Sequence, residues 1–553
     1  MIDSITLTVL QNRFRQIAEE MDIIFDRAAF SPIISEGRDR ACGLYRRGTG
    51  RLIAQGSTGM PIHVGAMQFA VATIVNDRKG HQPGDIYMIN CPYLGGTHLM
   101  DVKLVMPVFH AGELFCFLGS SGHWPDIGGA APGGYVTKAT EVQQEGLRIA
   151  GIKLYRNGEI EPDLLRLILD NVRVPTQRLG DLHAQVASLK AGEAEVRRLI
   201  EIYGADNLDA AIEQLEIRSA RLVREKISQL KPGKYTFEDM MDNDGVQNEP
   251  LHIRLDMEIK ADKIVFDFSR SSKPCRGPLN SVIATTASAV YISFKHAFPE
   301  IPMNAGCFEP LEVIAPTTTF LNAQYPRPVS GCAAEVSQRI VDTCFGALAQ
   351  VVPERLHGAP VGTSANVALG GHNEQGEGRY ILYFYTGGGH GGYAAGDGIS
   401  NACTSVGLAK TPPLEVVEQY APVLFEEYAL REDSGGAGEF RGGLGVQYSI
   451  MLLDGEGRIS VLGDRGQRGP FGILGGKSGA PTKISMRIGS RDYVPEMGTK
   501  DENVPFNVGD VIRVQTPGGG GYGNPAARSR ALIQRDLDNG YISSAFASEN
   551  YPL

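Results

Sequence analysis

The sequence predicts an α+β protein of several domains, with mixed sheets, a helical block and a glycine-rich, β-rich C-terminal part. Three observations support this fold class. The chain has 553 residues, more than one ordinary hydrophobic core accommodates. Runs that alternate polar and apolar residues are interrupted by long segments with helical apolar spacing. The 68 glycines lie in clusters rather than at a fixed period, which indicates tight turns and close backbone approaches.

The first predicted element is a helix from about Ile5 to Ala29. Apolar residues recur every three or four positions along it, as the buried stripe of an amphipathic helix requires. Asp3 or Ser4 is positioned to cap its start, and Pro32 follows its end. Between residues 41 and 108, the short runs CGLYRR, RLIAQG and DIYMIN are separated by Gly, Pro and Asn, which predicts a sheet.

A helical block follows this predicted sheet. Helical apolar spacing with many charges covers residues 162–172, 176–204 and 207–230. The sequence Lys231-Pro232-Gly233 ends the block and marks the best candidate for a domain boundary.

Beyond this boundary the chain alternates between strand and helix patterns. LHIRLDMEI and DKIVFDFS alternate strictly and predict paired strands joined by a turn at residues 260–263. Two buried helices are predicted near residues 281–297 and 335–350. We therefore predict three domains: an N-terminal domain with the candidate metal site and the helical block (1–230), a central α/β domain (231–423) and a C-terminal β-rich domain (424–553).

Charge and cysteine content exclude several classes of function. The formal net charge is −10 without a basic block, so neither nucleic acid nor an anionic membrane surface is an expected partner. The N-terminus lacks a signal peptide pattern, and SVIATTASAVYISF is too short and too polar to span a bilayer, so we expect a cytoplasmic protein. The eight cysteines include no C-x-x-C and are expected to be mostly buried thiols.

Two His-x-x-Asp pairs stand in glycine-rich surroundings, in GGTHLMDVKLVMP and GSSGHWPDIGG. Zinc, manganese and iron(II) accept imidazole nitrogen together with carboxylate oxygen, and a catalytic ion usually has three or four protein ligands. His98, Asp101 and His123 supply such a set. Residues three apart face one ion only from a helical turn or a bent loop, and Gly95 and Gly96 make a bend plausible here.

The spacing between His98 and His123 matches one strand, a turn and a returning strand, which brings both ends to one rim. The same residues also fit an alternative in which buried His and Asp side chains pair for structural reasons alone. Asp126, beside Pro125, is predicted to be a turn residue rather than a ligand. Trp124 either lines a substrate pocket or fills the core, and the core is the safer prediction.

The segment YILYFYTGGGHGGYAAGDG contains G-x-G-x-x-G after a predicted strand. A dinucleotide site also requires a helix that opens at the glycines and an acidic residue about 20 positions later. Because neither is visible, we predict a glycine-lined loop, in which His390 is a weak candidate for a site. No phosphate-binding loop or nucleophile elbow occurs. A metal-activated water is therefore the best candidate nucleophile.

With these motifs, the sequence resembles the hydantoinase B family over nearly its whole length. The resemblance rests on SPIISEGRDRACGLY, NCPYLGGTHLMDVKLVMPVF, LGSSGHWPDIGG, EVQQEGLRI, EEYALREDSGGAGEFRGGLGV and TPGGGGYGNP. The family includes the B-type components of ATP-dependent N-methylhydantoinase and caprolactamase, the corresponding half of 5-oxoprolinase, and the large subunits of acetone and acetophenone carboxylases.

The resemblance implies one divalent transition metal, zinc, manganese or iron, held by Asp39, His98, Asp101 and His123. All four residues are present. Asp39 is identified as a candidate ligand by the resemblance alone. The implied chemistry is ring opening of a hydantoin, lactam or oxoproline. A water bound to the metal that His98, Asp101 and His123 hold attacks a carbonyl carbon activated by phosphorylation.

The resemblance also implies a hydantoinase A-type partner that binds ATP and Mg, in a hetero-oligomer such as α2β2. The first alternative is a biotin-independent ketone carboxylase, in which the activated species are an enol phosphate and carboxyl phosphate. The second is a non-catalytic scaffold with a structural metal. Chain length favours the cyclic amide hydrolase, because the acetone carboxylase counterpart is considerably longer.

Overall fold

A computed structural model describes residues 2–372 and 378–551. Several antiparallel sheets and long helices give the predicted α+β architecture. The helices are α1 (Ser4–Ala28), α2 (Pro32–Ser35), α3 (Pro61–Asp77), α4 (Pro162–Asp170), α5 (Pro175–Tyr203), α6 (Ala205–Ser228), α7 (Ile283–Ala297), α8 (Ser337–Leu348), α9 (Leu414–Tyr420), α10 (Arg530–Asp538) and α11 (Ser544–Asn550). Within the described residues, no helix is both long enough and apolar enough to cross a membrane.

The strands belong to four sheets. They are β1 (Arg40–Arg46), β2 (Leu52–Gln55), β3 (Ile86–Ile89), β4 (Asp101–His110), β5 (Glu113–His123), β6 (Ala150–Arg156), β7 (Glu159–Ile160), β8 (Gly233–Met241), β9 (Leu251–Ile259), β10 (Ile264–Asp267), β11 (Leu311–Ile314), β12 (Asn366–His372), β13 (Arg379–Phe384), β14 (Val423–Leu430), β15 (Val446–Leu452), β16 (Glu456–Leu462), β17 (Lys483–Ile488), β18 (Arg491–Tyr493), β19 (Lys500–Asn507) and β20 (Val511–Gln515).

The first sheet carries the candidate metal site and has the strand order β2-β1-β5-β4-β3-β6-β7. Helices α1 and α5 pack on one face and α3 packs on the other. Gly122 shows this arrangement on β5, because a Cβ there would press on Phe25 of α1. Gly119, three residues earlier on the same strand, faces Met67 of α3. Both faces are therefore covered, which explains why β4 and β5 are buried almost throughout.

The predicted helices are present with small shifts at their ends. Asp3 is the N-cap of α1, and its side chain accepts hydrogen bonds from the backbone of Ile5 and Thr6. The helical block corresponds to α4, α5 and α6, and Gly204, with φ 81°, separates the last two. The two buried helices predicted in the central region correspond to α7 and α8, and α8 follows a π-helical turn at Cys332–Val336.

Five helices were absent from the predicted elements: the short helices α2 and α9, and α3, α10 and α11. Helix α3 lies in the region predicted to be sheet only, because it is apolar on all sides and shows no amphipathic stripe. Helices α10 and α11 lie in the part predicted to be β-rich up to its end. They are short and begin at Ser529 and Ser543, whose side chains cap the helices by accepting backbone hydrogen bonds.

The second sheet has the order β11-β10-β9-β8 and contains the predicted strand pair β9 and β10. The third, β13-β12-β16-β19, and the fourth, β14-β15-β20-β17-β18, complete the architecture. The third sheet combines strands from both sides of residue 423. The division into domains 1–230, 231–423 and 424–553 stays a prediction.

Glycine-rich segments outside the sheets pack directly against one another. We call the segments 387–392, 434–445 and 516–523 the glycine bundle. Its backbone groups pair across segments: Gly389 N–H donates to Pro517 (2.9 Å), and Gly519 N–H donates to Gly443 (3.0 Å). A Cβ at Gly389 would overlap backbone atoms of both Gly443 and Gly519. The excess of glycine therefore serves close backbone approach, as predicted.

Candidate metal centre

Asp101 and His123 meet at one end of a β-hairpin. Strands β4 and β5 are antiparallel, and their register places Asp101 directly opposite His123. Ala111 and Gly112, both with positive φ, form the tight turn at the other end. This is the arrangement of strand, turn and returning strand that the spacing predicts.

His98 lies in the bend that precedes β4. Gly95 adopts φ 88°, and a Cβ at this position would overlap the backbone of Phe69 and Ala70 in α3. The bend lets His98 and Asp101 face the same point although they lie only three residues apart, which a straight strand does not allow. Glycine at position 95 thus determines where the imidazole of His98 lies.

Asp101 is the centre of the cluster. Its Oδ1 lies 2.9 Å from His98 Nε2 and 3.3 Å from His123 Nδ1. The hydroxyl of Thr97 donates a hydrogen bond to the other oxygen, Oδ2. One ligand atom from each of His98, Asp101 and His123 lies within 4.8 Å of the others, and all three residues are buried. Among the described residues, no other group of three His, Cys, Asp or Glu side chains meets this arrangement.

Asp39 lies on the same rim, one residue before β1. Its backbone carbonyl accepts a hydrogen bond from the amide of His123 (3.1 Å), which joins the two chain segments. Its side chain lines a cavity of about 40 Å³ together with His98, Asp101 and His123. The structure therefore brings together the four residues that the resemblance implies as ligands.

The cavity contains a further histidine that the sequence analysis missed. His63, in the first turn of α3, is only 2% exposed. Its Nε2 lies 3.3 Å from Asp39 Oδ1 and its Nδ1 lies 3.6 Å from Asp101 Oδ2. In the sequence, the only signal for His63 is its place after Pro61 in an apolar run. Because α3 was not predicted, this histidine had no predicted position in the fold.

The electrostatics of the cluster favour a bound cation. Burial alone would raise the pKa of Asp101, but His63 and His98 outweigh it and hold that pKa well below its usual range. Burial alone would lower the pKa of His98, but the carboxylate of Asp101 outweighs it and raises that pKa. Positive charge between these groups is thus favourable despite their burial.

The hydrogen bonding of His98 also favours a positive charge beside this residue. Its Nδ1–H donates to the backbone carbonyl of Ser330 (3.1 Å), so in the neutral ring Nε2 has a lone pair. This lone pair faces Asp101 Oδ1. Two electron-rich atoms at that distance require a proton or a metal cation between them, and a backbone carbonyl is a common partner for the second nitrogen of a metal-binding histidine. The residues present therefore fit a divalent metal.

Three buried polar atoms of the cavity lining have no hydrogen-bond partner: His63 Nδ1, His123 Nε2 and Tyr385 Oη. Buried polar atoms are normally paired, because leaving one unsatisfied costs about 1–3 kcal/mol. Their convergence on one cavity indicates that bound groups complete their hydrogen bonding or coordination.

Tyrosines form one wall of the cavity. The rings of Tyr135 and Tyr383 stack with centroids 5.2 Å apart, and the ring of His123 lies 4.8 Å from that of Tyr383. Tyr135 Oη donates to Tyr383 Oη (3.0 Å), which donates to Asn366 Oδ1 (2.8 Å). The amide of Asn366 donates to Glu335 Oε1 (3.0 Å). This chain of hydrogen bonds fixes the wall beside the candidate ligands.

Two further buried groups, Glu145 and Lys103, bind residues that contact the candidate ligands. Glu145 Oε1 accepts hydrogen bonds from the amides of Val329 (2.7 Å) and Ser330 (2.6 Å), and Ser330 carries the carbonyl that orients His98. Burial raises the pKa of Glu145 to about 8. Lys103 Nζ is fully buried and donates to Thr97 Oγ1 (3.1 Å), so the Thr97 hydroxyl proton is directed to Asp101.

The remaining residues of the two motifs lie outside the cluster. Asp126 Oδ1 accepts from the amide of Gly128 (3.1 Å), a turn contact, and its carboxylate also pairs with Arg173 (2.9 Å). Trp124 is fully buried and donates to Gln185 (3.2 Å), so it is a core residue. Both positions agree with the predictions for these residues.

His390 lies away from the candidate ligands. It belongs to the glycine bundle, and its ring lies 4.6 Å from that of His357. Burial lowers the pKa of His390 to about 4. In the described residues no helix opens at Gly387, Gly389 or Gly392, so the glycine-lined loop is present and a dinucleotide site has no structural basis there.

A family model described as Hydantoinase B/oxoprolinase matches residues 3–525. A putative D-/L-hydantoinase component of the B type, from a Pseudomonas species, is 29% identical to this chain over 571 residues, covering 100% of this chain and 95% of the relative. The beta component of caprolactamase from Pseudomonas jessenii is 29% identical over 98% of this chain and 94% of the relative.

Two solved structures have the same fold. The crystal structure of ATP-dependent caprolactamase from Pseudomonas jessenii has a TM-score of 0.91 at 28% identity and covers 99% of this chain and 96% of the other. A nucleotide-free acetone carboxylase structure has a TM-score of 0.90 at 20% identity, with 99% and 79% covered. The second likeness concerns the fold alone.

Proposed function

The chain belongs to the hydantoinase B/oxoprolinase family, and from this premise we propose that it is the B-type component of an ATP-dependent enzyme that opens a cyclic amide ring. The observation that carries the proposal is the buried cluster of His98, Asp101 and His123, whose lone pairs and carboxylate face one another. The names of the hydantoinase and caprolactamase relatives support the reaction class. The substrate class is a hydantoin, lactam or oxoproline.

Asp39, His98, Asp101 and His123 would hold one divalent ion of zinc, manganese or iron, since mixed imidazole and carboxylate ligation suits all three. Such an ion, when bound, makes water a nucleophile at neutral pH and polarises a carbonyl oxygen. The hydrogen bond from His98 to Ser330 orients the imidazole toward the ion.

Tyr385 supplies the contact to the substrate. Its hydroxyl is buried, lines the cavity and has no partner in the chain. Burial holds its pKa well above the usual range, so the hydroxyl keeps its proton and donates. An oxygen of the ring carbonyl, free or phosphorylated, is the acceptor that this donor requires. The stacked rings of Tyr135 and Tyr383 limit the space beside it.

The ATP-dependent step would take place on a partner. The hydantoinase and caprolactamase relatives are each named as one component of a larger enzyme, which supports a hetero-oligomer such as α2β2. We assign ATP and Mg to an A-type partner, which would phosphorylate the amide oxygen before the carbonyl carbon reaches the cavity of this chain.

A ketone carboxylase is the second candidate, and the fold of acetone carboxylase is the observation in its favour. One experiment separates the two. The chain is purified with its A-type partner and incubated with ATP, labelled bicarbonate and, in turn, hydantoin, ε-caprolactam, 5-oxoproline, acetone and acetophenone. We expect ATP-dependent ring opening of one of the cyclic amides without label in the product. Label in the product would instead assign the carboxylase.

The His98→Ala variant tests whether the metal is only structural. The proposed function predicts a complex that assembles with the partner and has no ring-opening activity. A variant that no longer assembles would favour the scaffold, because the metal would then serve the interface rather than the chemistry. His110→Ala, at the far end of β4, is the matched control and should retain both assembly and activity.

A further inference from the structure

His63 has an unusual position between two carboxylates. It lies in the first turn of α3, and its two ring nitrogens face different acids: Nε2 faces Asp39 Oδ1 at 3.3 Å and Nδ1 faces Asp101 Oδ2 at 3.6 Å. Asp39 and Asp101 are both candidate metal ligands. The resemblance of the sequence to its family assigns no role to His63.

Neither neutral form of the ring satisfies both carboxylates. A neutral imidazole has one N–H donor and one lone pair. If Nε2 donates to Asp39, the lone pair of Nδ1 faces Asp101 Oδ2; if Nδ1 donates, the lone pair of Nε2 faces Asp39 Oδ1. In either form a lone pair points at a buried carboxylate oxygen. Such a contact is favourable only when a proton or a metal cation lies between the two atoms.

The second nitrogen, Nδ1, is the one that lacks a partner. Nε2 is within hydrogen-bond distance of Asp39 Oδ1, whereas Nδ1 is a buried atom without any hydrogen bond. The form that fits is therefore Nε2–H donating to Asp39, with the lone pair of Nδ1 directed into the cavity. A carboxylate that accepts from one ring nitrogen while the other binds metal is a common arrangement at metal sites.

The distances suit a shared ion. Two ligand atoms that each lie about 2.1 Å from one ion, at angles between about 90° and 110°, are about 3.0–3.4 Å apart. The distances from Asp101 to His98 (2.9 Å), His123 (3.3 Å) and His63 (3.6 Å) lie in or close to this range. His63 thus lies at a similar distance from Asp101, but it faces Oδ2, whereas His98 and His123 face Oδ1.

We propose that His63 is a third imidazole ligand of the metal, bound through Nδ1, and that its Nε2–H holds Asp39 in place. This inference rests on the proposed function, because it assumes the same metal centre. It differs from the ligand set implied by the family resemblance, in which His98 and His123 are the only histidines. The centre would then have three imidazoles and up to two carboxylates.

X-ray absorption spectroscopy of the zinc-loaded wild-type chain tests the inference without any measurement of activity. The multiple-scattering signal of imidazole gives the number of bound histidines, and we expect three. The His63→Ala variant should give two, and the control His110→Ala should again give three. A wild-type count of two overturns the inference and leaves the proposed metal centre intact. A wild-type chain that binds no zinc overturns both.

Competition with a chromophoric zinc chelator provides a second measurement. We expect His63→Ala to weaken zinc binding by roughly 10- to 100-fold or more, the loss typical of residues that hold or orient a metal ligand. His110→Ala should bind zinc like the wild type. Unchanged affinity in His63→Ala would overturn the inference, because an imidazole that contacts the ion cannot be removed without loss of affinity.

Discussion

At the scale of single residues, three side chains with unpaired polar atoms line the same cavity. Nδ1 of His63, Nε2 of His123 and the hydroxyl of Tyr385 are buried without partners and line the same space. Two of these atoms are imidazole nitrogens of residues that contact Asp101, and they suit a cation. The hydroxyl is a neutral donor and suits an acceptor oxygen. The cavity is therefore equipped for a metal ion and a carbonyl-containing substrate together.

Tyr385→Phe should raise KM for the cyclic amide by roughly 2- to 10-fold, the value of one neutral hydrogen bond. Metal content should not change, because the hydroxyl contacts none of the candidate ligands. Steady-state kinetics of the assembled complex provide the measurement. Tyr380→Phe is the matched control, since it also removes a buried hydroxyl without a partner, on the strand that precedes Tyr385 but outside the cavity. Equal kinetics for Tyr385→Phe and wild type would contradict the assignment.

The sequence alone predicted part of this site. His98, Asp101 and His123 followed from their spacing and the chemistry of mixed ligation, and Asp39 required the family resemblance. His63 followed from neither, because it is brought to the cavity by a helix that the apolar pattern did not reveal. Tyr385 is the residue after β13 and meets the site only through tertiary packing, which no local pattern encodes.

At the scale of elements, the bend before β4 depends on Gly95. Gly95→Ala should destabilise the fold and weaken metal binding, because it combines a positive φ with overlap against the backbone of α3. Gly112→Ala is the control: Gly112 has φ 84°, but nothing lies within 4 Å of a Cβ there. It should cost only about 1–2 kcal/mol, the penalty of the left-handed conformation. Thermal unfolding and zinc titration of both variants test this difference.

The same stability and zinc affinity in the two alanine variants would contradict this role of Gly95. The comparison is informative because the backbone strain is similar in both, so any difference reports the steric overlap and the displacement of His98 alone.

The π-helical turn before α8 carries Glu335, whose pKa is raised by burial from the ordinary value of 4.5 to about 8. The folded state keeps this proton up to about pH 8, whereas the unfolded state releases it near pH 4.5. The contribution of the protonated Glu335 carboxyl to the free energy of unfolding is therefore complete below about pH 4.5 and is lost as pH rises toward about 8. Glu335→Gln should flatten the decline of Tm between about pH 5 and 8. The control Glu354→Gln, at an exposed site, should not change the profile.

Calorimetry across that pH range provides the measurement. A Glu335→Gln profile parallel to that of the wild type would show that this carboxyl is ionised in the folded protein. Glutamine is a suitable replacement because it preserves the acceptor oxygen for Ser364 and Asn366.

Several elements that the sequence predicted well have one exposed face. Helices α1 and α6 follow a clear apolar period, and β9 alternates strictly between buried and half-buried residues. Helix α3 lacks such a period because it is enclosed between the first sheet and α7. Packing on both sides removes most of the polar face on which a pattern depends, and for this reason the sequence did not reveal α3.

At the scale of the whole molecule, the glycine bundle joins distant parts of the chain. The segments 387–392, 434–445 and 516–523 are held together largely by backbone hydrogen bonds. The excess of glycine was visible in the composition. The packing of these segments against one another was not predictable, because glycine provides no side-chain pattern that specifies a partner. The bundle also fixes the segment that follows β13 and Tyr385.

Gly389→Ala should severely destabilise the chain, by about 3 kcal/mol or more, because a Cβ would overlap backbone atoms of two other segments. Gly48→Ala, where nothing lies within 4 Å of the added Cβ, should be close to neutral. Chemical denaturation of both variants provides the measurement. A wild-type unfolding midpoint for Gly389→Ala would mean that the segments are not in direct contact.

The central claim is that His98, Asp101 and His123 hold a metal ion, and elemental analysis of the chain purified without chelator tests it most directly. We expect about one transition metal ion per chain in the wild type and in His110→Ala, and its loss in His98→Ala. A wild-type chain without metal, or metal that persists undiminished in His98→Ala, would contradict the account.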